Sequence, residues 1–329
     1  MPTTTISESR LAVQTTDLRR AFRSGRLTVE AVAGVDLRIA SGSIFGFLGP
    51  NGAGKTTTLR MLSTLLAPTS GEAVVAGADL LREPARVRER IGYVGQHGGA
   101  DHNESARSEL VFQARLYGCS AAEADTRAQS LIDGFELGTC ADRLVGTYSG
   151  GQRRRLDIAV GLVNRPEVLF LDEPTTGLDP QSRAHLWEQV RSLREQGTTV
   201  FLTTHYLEEA DVLCDRLAII DHGRIVAEGT PIELKQRVAG DVIALTVGGD
   251  RGAALALLAA QPYVRDHDPL AAGDEPIRIY VEDGENAMPD VFRALDRGGF
   301  ALRSVSLTRP TLDDVFLRQT GRSLRDVAA

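Results

Sequence analysis

The sequence predicts an α/β protein with a small α+β domain at its carboxyl end. Short apolar runs typical of buried strands alternate with segments of helical spacing over residues 11–239. A glycine-rich loop joins one of these runs directly to a helical segment. After residue 239 the order of the segments changes to β-α-β-β-α-β. We therefore expect a flexible amino terminus (1–10), an α/β domain (11–239) and an accessory domain (240–329).

Composition limits the classes of protein that fit. The chain has 329 residues, which is too long for a typical single core, with 42% hydrophobic and 25% charged residues. Its net charge of −7 provides no broad basic field, so we expect no nucleic-acid partner. Three scattered cysteines fit neither a disulfide framework nor a zinc site, which favours the cytoplasm. No apolar run approaches the roughly 20 residues of a membrane span, so any membrane part would be another chain.

The first domain contains both kinds of strand pattern. Residues 33–39 alternate between apolar and polar, as a half-buried antiparallel strand does. The fully apolar runs indicate buried parallel strands, and a mostly helical region spans residues 108–137. The other expected strands, in chain order, lie at 11–14, 44–48, 70–77, 91–96, 168–171, 200–202, 217–220 and 224–226.

The second domain has its own pattern. Strand-like segments at 242–247, 277–281 and 302–307 alternate with helix-like segments at 253–260 and 287–295. A short strand near Val264 would complete the β-α-β-β-α-β order. A last helix would begin at Thr311, capped by its hydroxyl group, with Asp313 and Asp314 in the first turn.

Residues 49–56, Gly-Pro-Asn-Gly-Ala-Gly-Lys-Thr, match the P-loop template G-x-x-x-x-G-K-[ST] without a mismatch. The buried strand 44–48 precedes the loop, and Leu59, Leu62 and Leu66 give helical spacing after it. This context separates a phosphate-binding loop from a chance glycine turn. Glycines let successive N–H groups converge on one anion, and the helix that follows adds its positive end.

The loop therefore predicts binding of a nucleoside triphosphate. Lys55 supplies a charge for the outer phosphates, and the Thr56 hydroxyl is placed to ligate Mg²⁺. Of the 37 basic residues only Lys55 and Lys235 are lysine, an arginine excess that a GC-rich genome explains. Within that bias, a lysine at this position indicates a need for a compact ammonium group. The expected ATP-binding residues here are Gly49, Asn51, Gly52, Gly54, Lys55, Thr56 and Thr57.

A pair of carboxylates follows the apolar run 168–171. Asp172 is expected to hold Mg²⁺ through water, and Glu173 to polarise an attacking water. Adjacent residues on a strand point to opposite sides, so the two carboxylates would have different tasks. The alternative is that Glu173 is a structural carboxylate at a strand end. The P-loop in the same chain favours the catalytic interpretation.

Six separated motifs occur in order: Gly49–Thr56, Gln96, Tyr148–Gln152, Leu171–Pro174, Gly177–Asp179 and His205. Together they resemble the motif set of ATP-binding-cassette (ABC) ATPases over residues 11–238. The resemblance implies a P-loop nucleotide-binding domain with an antiparallel β subdomain and an α-helical subdomain. It also implies roles for single residues. Phe22 would stack on adenine, and Gln96 would sense Mg²⁺ and the γ-phosphate and face a transmembrane partner. His205 would contact the γ-phosphate and order Glu173, and Asp179 would communicate across a dimer.

The family's signature turn usually begins with leucine, but here it begins with Tyr148, which leaves the packing behind the turn open. The turn itself, Ser149, Gly150, Gly151 and Gln152, is a second helix start able to take an anion. It has no lysine, which suits a half-site completed by the P-loop of a second copy. The following Arg153–Arg155 is interpreted as a solvated face, with contact to phosphate or an acidic partner as the alternative.

The carboxyl-terminal motif, residues 312–317 followed by Thr320, Gly321 and Arg322, resembles that of daunorubicin-resistance-type exporter ATPases. This resemblance implies a homodimeric ATPase on the cytoplasmic face of the membrane, attached to a separate permease that exports a drug. Export of a lipid or polysaccharide is the alternative. The terminal helix would either pack on its own domain or serve dimerisation or permease docking.

Two other functions compete. Translation ATPases of this type usually carry two cassettes, whereas this chain has one P-loop. Repair types insert a long coiled coil before the strand-end carboxylates, and no heptad run precedes Asp172. A degenerate regulatory module would have lost Lys55, Glu173 or His205, and all three are present.

Overall fold

The computed structural model describes residues 10–25, 27–238, 240–270, 275–308 and 310–320. The chain forms two compact units, the first ending at Glu228 and the second beginning at Gly229. All but the last residue of the expected flexible segment 1–10, and Gly321 and Arg322 of the terminal motif, lie outside the described residues. No helix in the described ranges combines the length and the apolar composition needed to cross a membrane.

The first unit contains ten strands, seven α-helices and one short 3₁₀ helix, Val145–Thr147, within its described residues. The strands are β1 Leu11–Ser24, β2 Leu27–Ala40, β3 Ile44–Leu48, β4 Ser70–Val75, β5 Ala78–Asp79, β6 Ile91–Val94, β7 Val168–Asp172, β8 Thr199–Thr204, β9 Arg216–Asp221 and β10 Arg224–Gly229, whose last residue opens the second unit. The helices are α1 Lys55–Leu62, α2 Pro84–Arg90, α3 Ala106–Leu116, α4 Ala121–Gly134, α5 Gly150–Gly161, α6 Pro180–Glu195 and α7 Leu207–Leu213.

A six-stranded sheet in the order β10-β9-β3-β8-β7-β6 forms the centre of this unit. The five strands from β9 to β6 are parallel, which confirms the α/β prediction. Every residue of β3, β7 and β8 is buried, because both faces of the sheet are covered. The ring of Phe201 lies 5.6–5.7 Å from the rings of Phe45, Phe47 and Phe170 and links the three strands.

The parallel direction of these strands positions the site. β3 ends at Leu48, β7 at Asp172 and β8 at Thr204, and these ends lie at one edge of the sheet. Parallel α/β sheets bind ligands at this edge. Register pairs Leu48 with Thr204 and Asp172 with Thr203, so the P-loop and both strand-end motifs emerge side by side.

An antiparallel sheet in the order β2-β1-β4-β5 accompanies the central sheet. Val35, Leu37 and Ile39 of β2 are buried, which confirms the predicted alternation. The helical region predicted at 108–137 consists of two helices, α3 and α4, separated by a turn in which Gly118 adopts φ 83°. Ser120 begins α4 with a reciprocal cap involving Glu123.

The second unit has the predicted β-α-β-β-α-β order, preceded by α8 Pro231–Val238. Its elements are β11 Asp241–Val247, α9 Arg251–Ala259, β12 Val264–His267, β13 Ile277–Val281, α10 Gly284–Arg297, β14 Leu302–Thr308 and α11 Leu312–Thr320. The strands form an antiparallel sheet in the order β12-β13-β11-β14. Ile243, Leu245 and Val291 are fully buried in its core. The Thr311 hydroxyl accepts a hydrogen bond from Asp314 N at 3.3 Å, as expected for the cap of α11.

Candidate functional site

The P-loop connects β3 to α1, as predicted, and its glycines allow close backbone contacts. Gly54 has φ 106° immediately before the first residue of α1. A Cβ atom at Gly54 would lie 2.4 Å from Ala31 O, and one at Gly49 would lie 2.3 Å from Ile220 O. A larger residue at either position would force the loop away from the sheet edge. Asn51 and Gly52 are exposed at the loop surface, and Thr57 is half-buried in α1.

Lys55 is held inside the loop. Its side chain is 4% exposed, and Nζ donates to Gly49 O at 2.7 Å and to Pro50 O at 3.1 Å. The same Nζ lies 3.3 Å from Glu173 Oε1. Burial lowers the pKa of the Lys55 ammonium, and the nearby charges of Glu173 and Asp172 oppose that shift. The ammonium is thus held by weak carbonyl partners and one carboxylate, a set that phosphate oxygens can replace.

Thr56 and Asp172 form an oxygen-rich corner beside Lys55. The Thr56 hydroxyl donates to Asp172 Oδ1 at 3.0 Å, and the Thr203 hydroxyl donates to the same oxygen at 2.6 Å. Mg²⁺ prefers hydroxyl, carboxylate and water oxygens. Two of the three predicted metal-site residues, Thr56 and Asp172, are therefore adjacent, and their donor atoms fit a magnesium ion. The third, Gln96, places its Nε2 3.2 Å from Glu173 Oε2 instead.

The backbone at Glu173 differs from the expectation. Adjacent residues of a strand would point to opposite sides, but β7 ends at Asp172 and Glu173 adopts φ 46°. Its N–H donates to Thr203 O at 3.1 Å and to Thr203 Oγ1 at 3.0 Å, which holds the turn. As a result both carboxylates approach the P-loop, Asp172 at Thr56 and Glu173 at Lys55. The expectation of opposite sides was wrong because β7 ends at Asp172, so Glu173 does not have the backbone conformation of a strand residue.

The Glu173 carboxylate brings together the other predicted catalytic residues. Its Oε2 lies 3.2 Å from Gln96 Nε2 and 3.2 Å from His205 Nδ1, and Thr176 Oγ1 donates to it at 3.3 Å. Burial raises the pKa of Glu173, but the contact with His205 and the charge of Lys55 outweigh burial and lower the pKa to about 2. The carboxylate is ionised at neutral pH and can accept a proton from water.

The signature turn forms a second cluster. Ser149 begins α5 with a reciprocal cap: Ser149 Oγ accepts from Gln152 N at 3.2 Å, and Gln152 Oε1 accepts from Ser149 N at 3.1 Å. Asp179 begins α6 by accepting from Ser182 N and Oγ at 2.9 and 2.6 Å. A Cβ atom at Gly151 would lie 2.7 Å from Ser182 Oγ, so the two helix starts are in contact.

The turn borders a cavity of about 470 Å³, whose lining includes Ser149, Gly151 and Gln152. Gly150 packs near Leu178, on the segment that leads to Asp179. Within the described part of the chain, no hydrogen bond or ion pair joins Ser149–Gln152 to Gly49–Thr56. The predicted site residues therefore fall into two groups, one around the P-loop and one around the signature turn.

Phe22 is a predicted site residue that lies outside both groups. It lies on β1 in the antiparallel sheet, its ring is 41% exposed, and the Arg20 guanidinium lies 4.7 Å from the ring centroid. Base stacking needs an accessible aromatic face. Stacking on adenine remains a prediction.

The side chain of Tyr148 packs behind the signature turn, at the position where the family usually has leucine. Its ring is buried, and its hydroxyl donates to Cys140 O at 2.5 Å. The Arg143 guanidinium lies 6.0 Å from the ring centroid. Burial and the neighbouring Cys140 raise the pKa of the hydroxyl, so it stays a hydrogen-bond donor. The turn therefore keeps an apolar support and gains a hydrogen bond.

Arg154 is a site residue that the sequence interpretation missed. The solvated face expected for Arg153–Arg155 does not hold at Arg155, whose side chain is 18% exposed and whose Nη1 lies 3.7 Å from Glu136 Oε2. It is wrong above all at Arg154, which is only 6% exposed. Its guanidinium donates to three backbone carbonyls, those of Gly95, Asp172 and Pro174. Arg154 precedes the buried Ile158 by four residues, so helical periodicity places both on one face. That spacing was the available signal.

Comparison with known proteins agrees with this geometry. Residues 32–176 match the family model for ABC transporters, and residues 229–320 match the model for the C-terminal domain of DrrA1-3-like ATP-binding proteins. The daunorubicin resistance ATP-binding protein DrrA3 of Streptomyces coeruleorubidus is 49% identical over 298 residues, 90% of this chain and 93% of the relative. The daunorubicin/doxorubicin resistance ATP-binding protein DrrA of Streptomyces peucetius is 47% identical, covering 96% and 94%.

Among solved structures, the dimeric post-hydrolysis state of the ATP-binding cassette MJ0796, bound to ADP and phosphate, superposes with a TM-score of 0.62. It is 26% identical, and the match covers 66% of this chain and 98% of that one. The similarity confirms the fold predicted for the first domain.

Proposed function

This chain belongs to the family of ABC transporter ATP-binding proteins and is an ATPase of that type, and we propose that it drives a drug exporter whose membrane part is a separate permease. The family assignment rests on relatives that align with nearly the whole chain. Two further parts belong to the proposal: the active form is a homodimer, and the protein is bound peripherally at the cytoplasmic face of the membrane.

The observation that supports the hydrolytic mechanism is the proximity of two carboxylates to the P-loop: Asp172 lies at Thr56, and Glu173 lies at Lys55. The loop N–H groups and Lys55 bind the outer phosphates, and Lys55 exchanges its carbonyl and carboxylate partners for phosphate oxygens. Thr56 and Asp172 would hold Mg²⁺, and the Gln96 amide lies at the neighbouring Glu173 carboxylate. A bound magnesium ion neutralises negative charge on the phosphates.

Glu173 orients the attacking water and accepts its proton. Release of Lys55 to the phosphates frees Glu173 Oε1, while Oε2 stays in contact with Gln96 and His205. The Gln96 amide donates to Oε2 and the His205 ring lies against it, which restrains the orientation of the carboxylate. The family resemblance implies that His205 would also contact the γ-phosphate. Gln96 links this carboxylate to the surface at which the permease is expected.

The separation of the two groups of site residues supports the proposed homodimer. The signature turn, Ser149–Gln152, supplies a helix start that can bind an anion but has no lysine. The P-loop supplies Lys55 and its own helix start, but within the described residues the signature turn of the same chain forms no hydrogen bond or ion pair with it. Two copies arranged head to tail would place each ATP between the P-loop of one copy and the signature turn of the other. Asp179 lies beside that turn through Ser182, which supports a role at the dimer contact.

The transported compound is proposed from the relatives. The name of the first relative states resistance to daunorubicin, and that of the second states resistance to daunorubicin and doxorubicin. We infer that this exporter transports a drug of that kind.

The test is drug accumulation in a susceptible bacterium that expresses this chain together with its permease. The wild-type pair should lower intracellular daunorubicin, and Glu173→Gln should abolish that effect. Glu195→Gln, at an exposed glutamate of α6, is the matched control and should behave as wild type. If drug accumulation does not change, copurification with the permease together with ATP hydrolysis would indicate that the exporter transports another class of compound, such as a lipid. An active ATPase that never copurifies with a permease would contradict the transport function.

A further inference from the structure

The guanidinium of Arg154 spans three segments of the catalytic site. Nη1 donates to Gly95 O at 2.7 Å, Nη2 to Asp172 O at 3.0 Å, and Nε to Pro174 O at 2.7 Å. All three nitrogen atoms are engaged, and each has a different carbonyl as its partner. A planar group with five donors can make such a set of bonds, whereas a flexible ammonium group cannot reproduce its geometry.

The carbonyls belong to residues next to the predicted catalytic groups. Asp172 and Pro174 flank Glu173, and Gly95 directly precedes Gln96. Glu173 adopts φ 46°, a conformation that persists only when its surroundings hold it. Arg154 fixes the carbonyl on each side of that residue, so it restrains the direction in which the Glu173 carboxylate points.

The same helix holds the other end of the Gln96 loop. Asp157, one turn after Arg154 on α5, is buried and accepts from Gly99 N at 3.0 Å and from Ala100 N at 3.4 Å. A Cβ atom at Gly98 would lie 2.3 Å from Asp157 Oδ2, so the loop passes directly over this carboxylate. The loop that carries Gln96 is therefore attached to α5 on both sides.

We propose that Arg154 is a positioning residue that couples the signature turn of this chain to its own catalytic glutamate through α5. The helix begins at Ser149, and Arg154 follows about one and a half turns later, so the turn and the guanidinium move as one body. Engagement of the turn by the ATP of the second copy thus sets the position of Glu173 and Gln96. The inference rests on the proposed function, since it requires ATP hydrolysis in a dimer.

The first test replaces Arg154 by methionine, which keeps most of the volume and removes all three donors. We expect nucleotide affinity within about twofold of wild type, because the P-loop is unchanged, and a kcat lower by about 10², as displacement of a catalytic group costs. Arg154→Lys should recover part of the rate. Arg127→Met is the matched control: Arg127 of α4 donates to Val163 O at 2.7 Å, just beyond the other end of α5, and its loss should leave kcat within twofold.

A double-mutant cycle separates positioning from general destabilisation. If Arg154 acts through Glu173, adding Arg154→Met to Glu173→Gln should slow the residual hydrolysis by less than about threefold. A further loss of about 10² in the double variant would overturn the inference, and so would a single Arg154→Met variant with wild-type kcat.

Hydrogen exchange supplies a readout that does not depend on activity. The Glu173 amide donates to Thr203, and we expect faster exchange at this amide in Arg154→Met and in Arg154→Lys but not in Arg127→Met. Unchanged exchange in both Arg154 variants would also overturn the inference. A wild-type protein without any ATPase activity would instead refute the proposed function. If Arg154→Met does not fold, Arg154→Lys carries the kinetic and exchange measurements.

Discussion

Glu173 is the residue at which backbone strain and charge coincide with the proposed catalytic role. A positive φ at a glutamate costs of order 1–3 kcal/mol, and the chain tolerates it where Thr203 and Arg154 hold both sides. The carboxylate faces Lys55, Gln96 and His205. The folded chain therefore presents one ionised base in a fixed direction, toward the place where the γ-phosphate is expected.

Replacement of Glu173 by glutamine should separate nucleotide binding from hydrolysis. The amide keeps the shape of the side chain but removes its basicity, so hydrolysis should fall by about 10²–10⁴. ATP should still bridge two copies, because the P-loop and signature turn are intact. Light scattering with ATP and Mg²⁺ should show a stable dimer for Glu173→Gln and a transient one for wild type. Wild-type turnover in the variant would assign Glu173 a structural role.

The same carboxylate should make stability depend on pH. Folding lowers the pKa of Glu173 from 4.5 to about 2, so its stabilising contribution is complete above pH 4.5 and is lost as the pH falls toward 2. The free energy of unfolding should therefore differ most between wild type and Glu173→Gln at neutral pH. Urea titrations at pH 7, 4 and 3 should show this difference shrinking. A difference that stays constant over this range would show that the contacts with His205 and Lys55 do not lower the pKa of this carboxyl group.

The sequence predicted the place of some site residues in the structure but not of others. Lys55 and Thr56 follow from a template whose spacing is tied to one loop geometry, so their positions were predictable. The φ of Glu173 was not, because it depends on where β7 ends and on the hydroxyl of Thr203. Arg154 was missed because charge suggested exposure, whereas three carbonyls compensate its burial.

At the scale of elements, the prediction worked best where one interaction dominates. β3 matched its predicted bounds because a strand buried on both faces reads as an apolar run. The two-residue β5 was not predicted, because an element so short has no periodicity of its own. The α3 and α4 boundary depended on Gly118 and the Ser120 cap, which are local signals inside a long helical pattern.

The support of α5 by Tyr148 can be tested at this scale. Tyr148→Phe removes the hydrogen bond to Cys140 O and keeps the ring, and Cys140 O retains the Arg143 N–H as a donor. The free energy of unfolding should therefore fall by only about 0.5–1.5 kcal/mol. Urea denaturation measures the change, and Tyr117→Phe, at a half-exposed ring just after α3, should cause none. An equal loss in both variants would show that the buried hydrogen bond contributes nothing specific.

At the scale of the whole molecule, the proposed site is shared between two copies, because the P-loop and the signature turn of one chain form separate groups. Ser149→Arg should leave ATP binding at its own P-loop intact but block hydrolysis, and Lys55→Ala should lose nucleotide binding. Mixing the two inactive variants should restore activity, because the intact P-loop of one copy meets the intact turn of the other. ATPase assays of each variant alone are the controls. No recovery on mixing would contradict a composite site.

The chain contains few lysines and one of them, Lys55, is buried in the P-loop, which has a consequence for chemical labelling. Because the chain carries only Lys55 and Lys235, an acylating ATP analogue has two side-chain amines to modify, and one of them lies inside the phosphate loop. Burial lowers the pKa of that amine, and the loop holds it where the outer phosphates of a nucleotide are expected. An acyl-phosphate nucleotide should therefore label this protein at Lys55, and the yield of that single peptide would count occupied sites directly in a crude membrane extract.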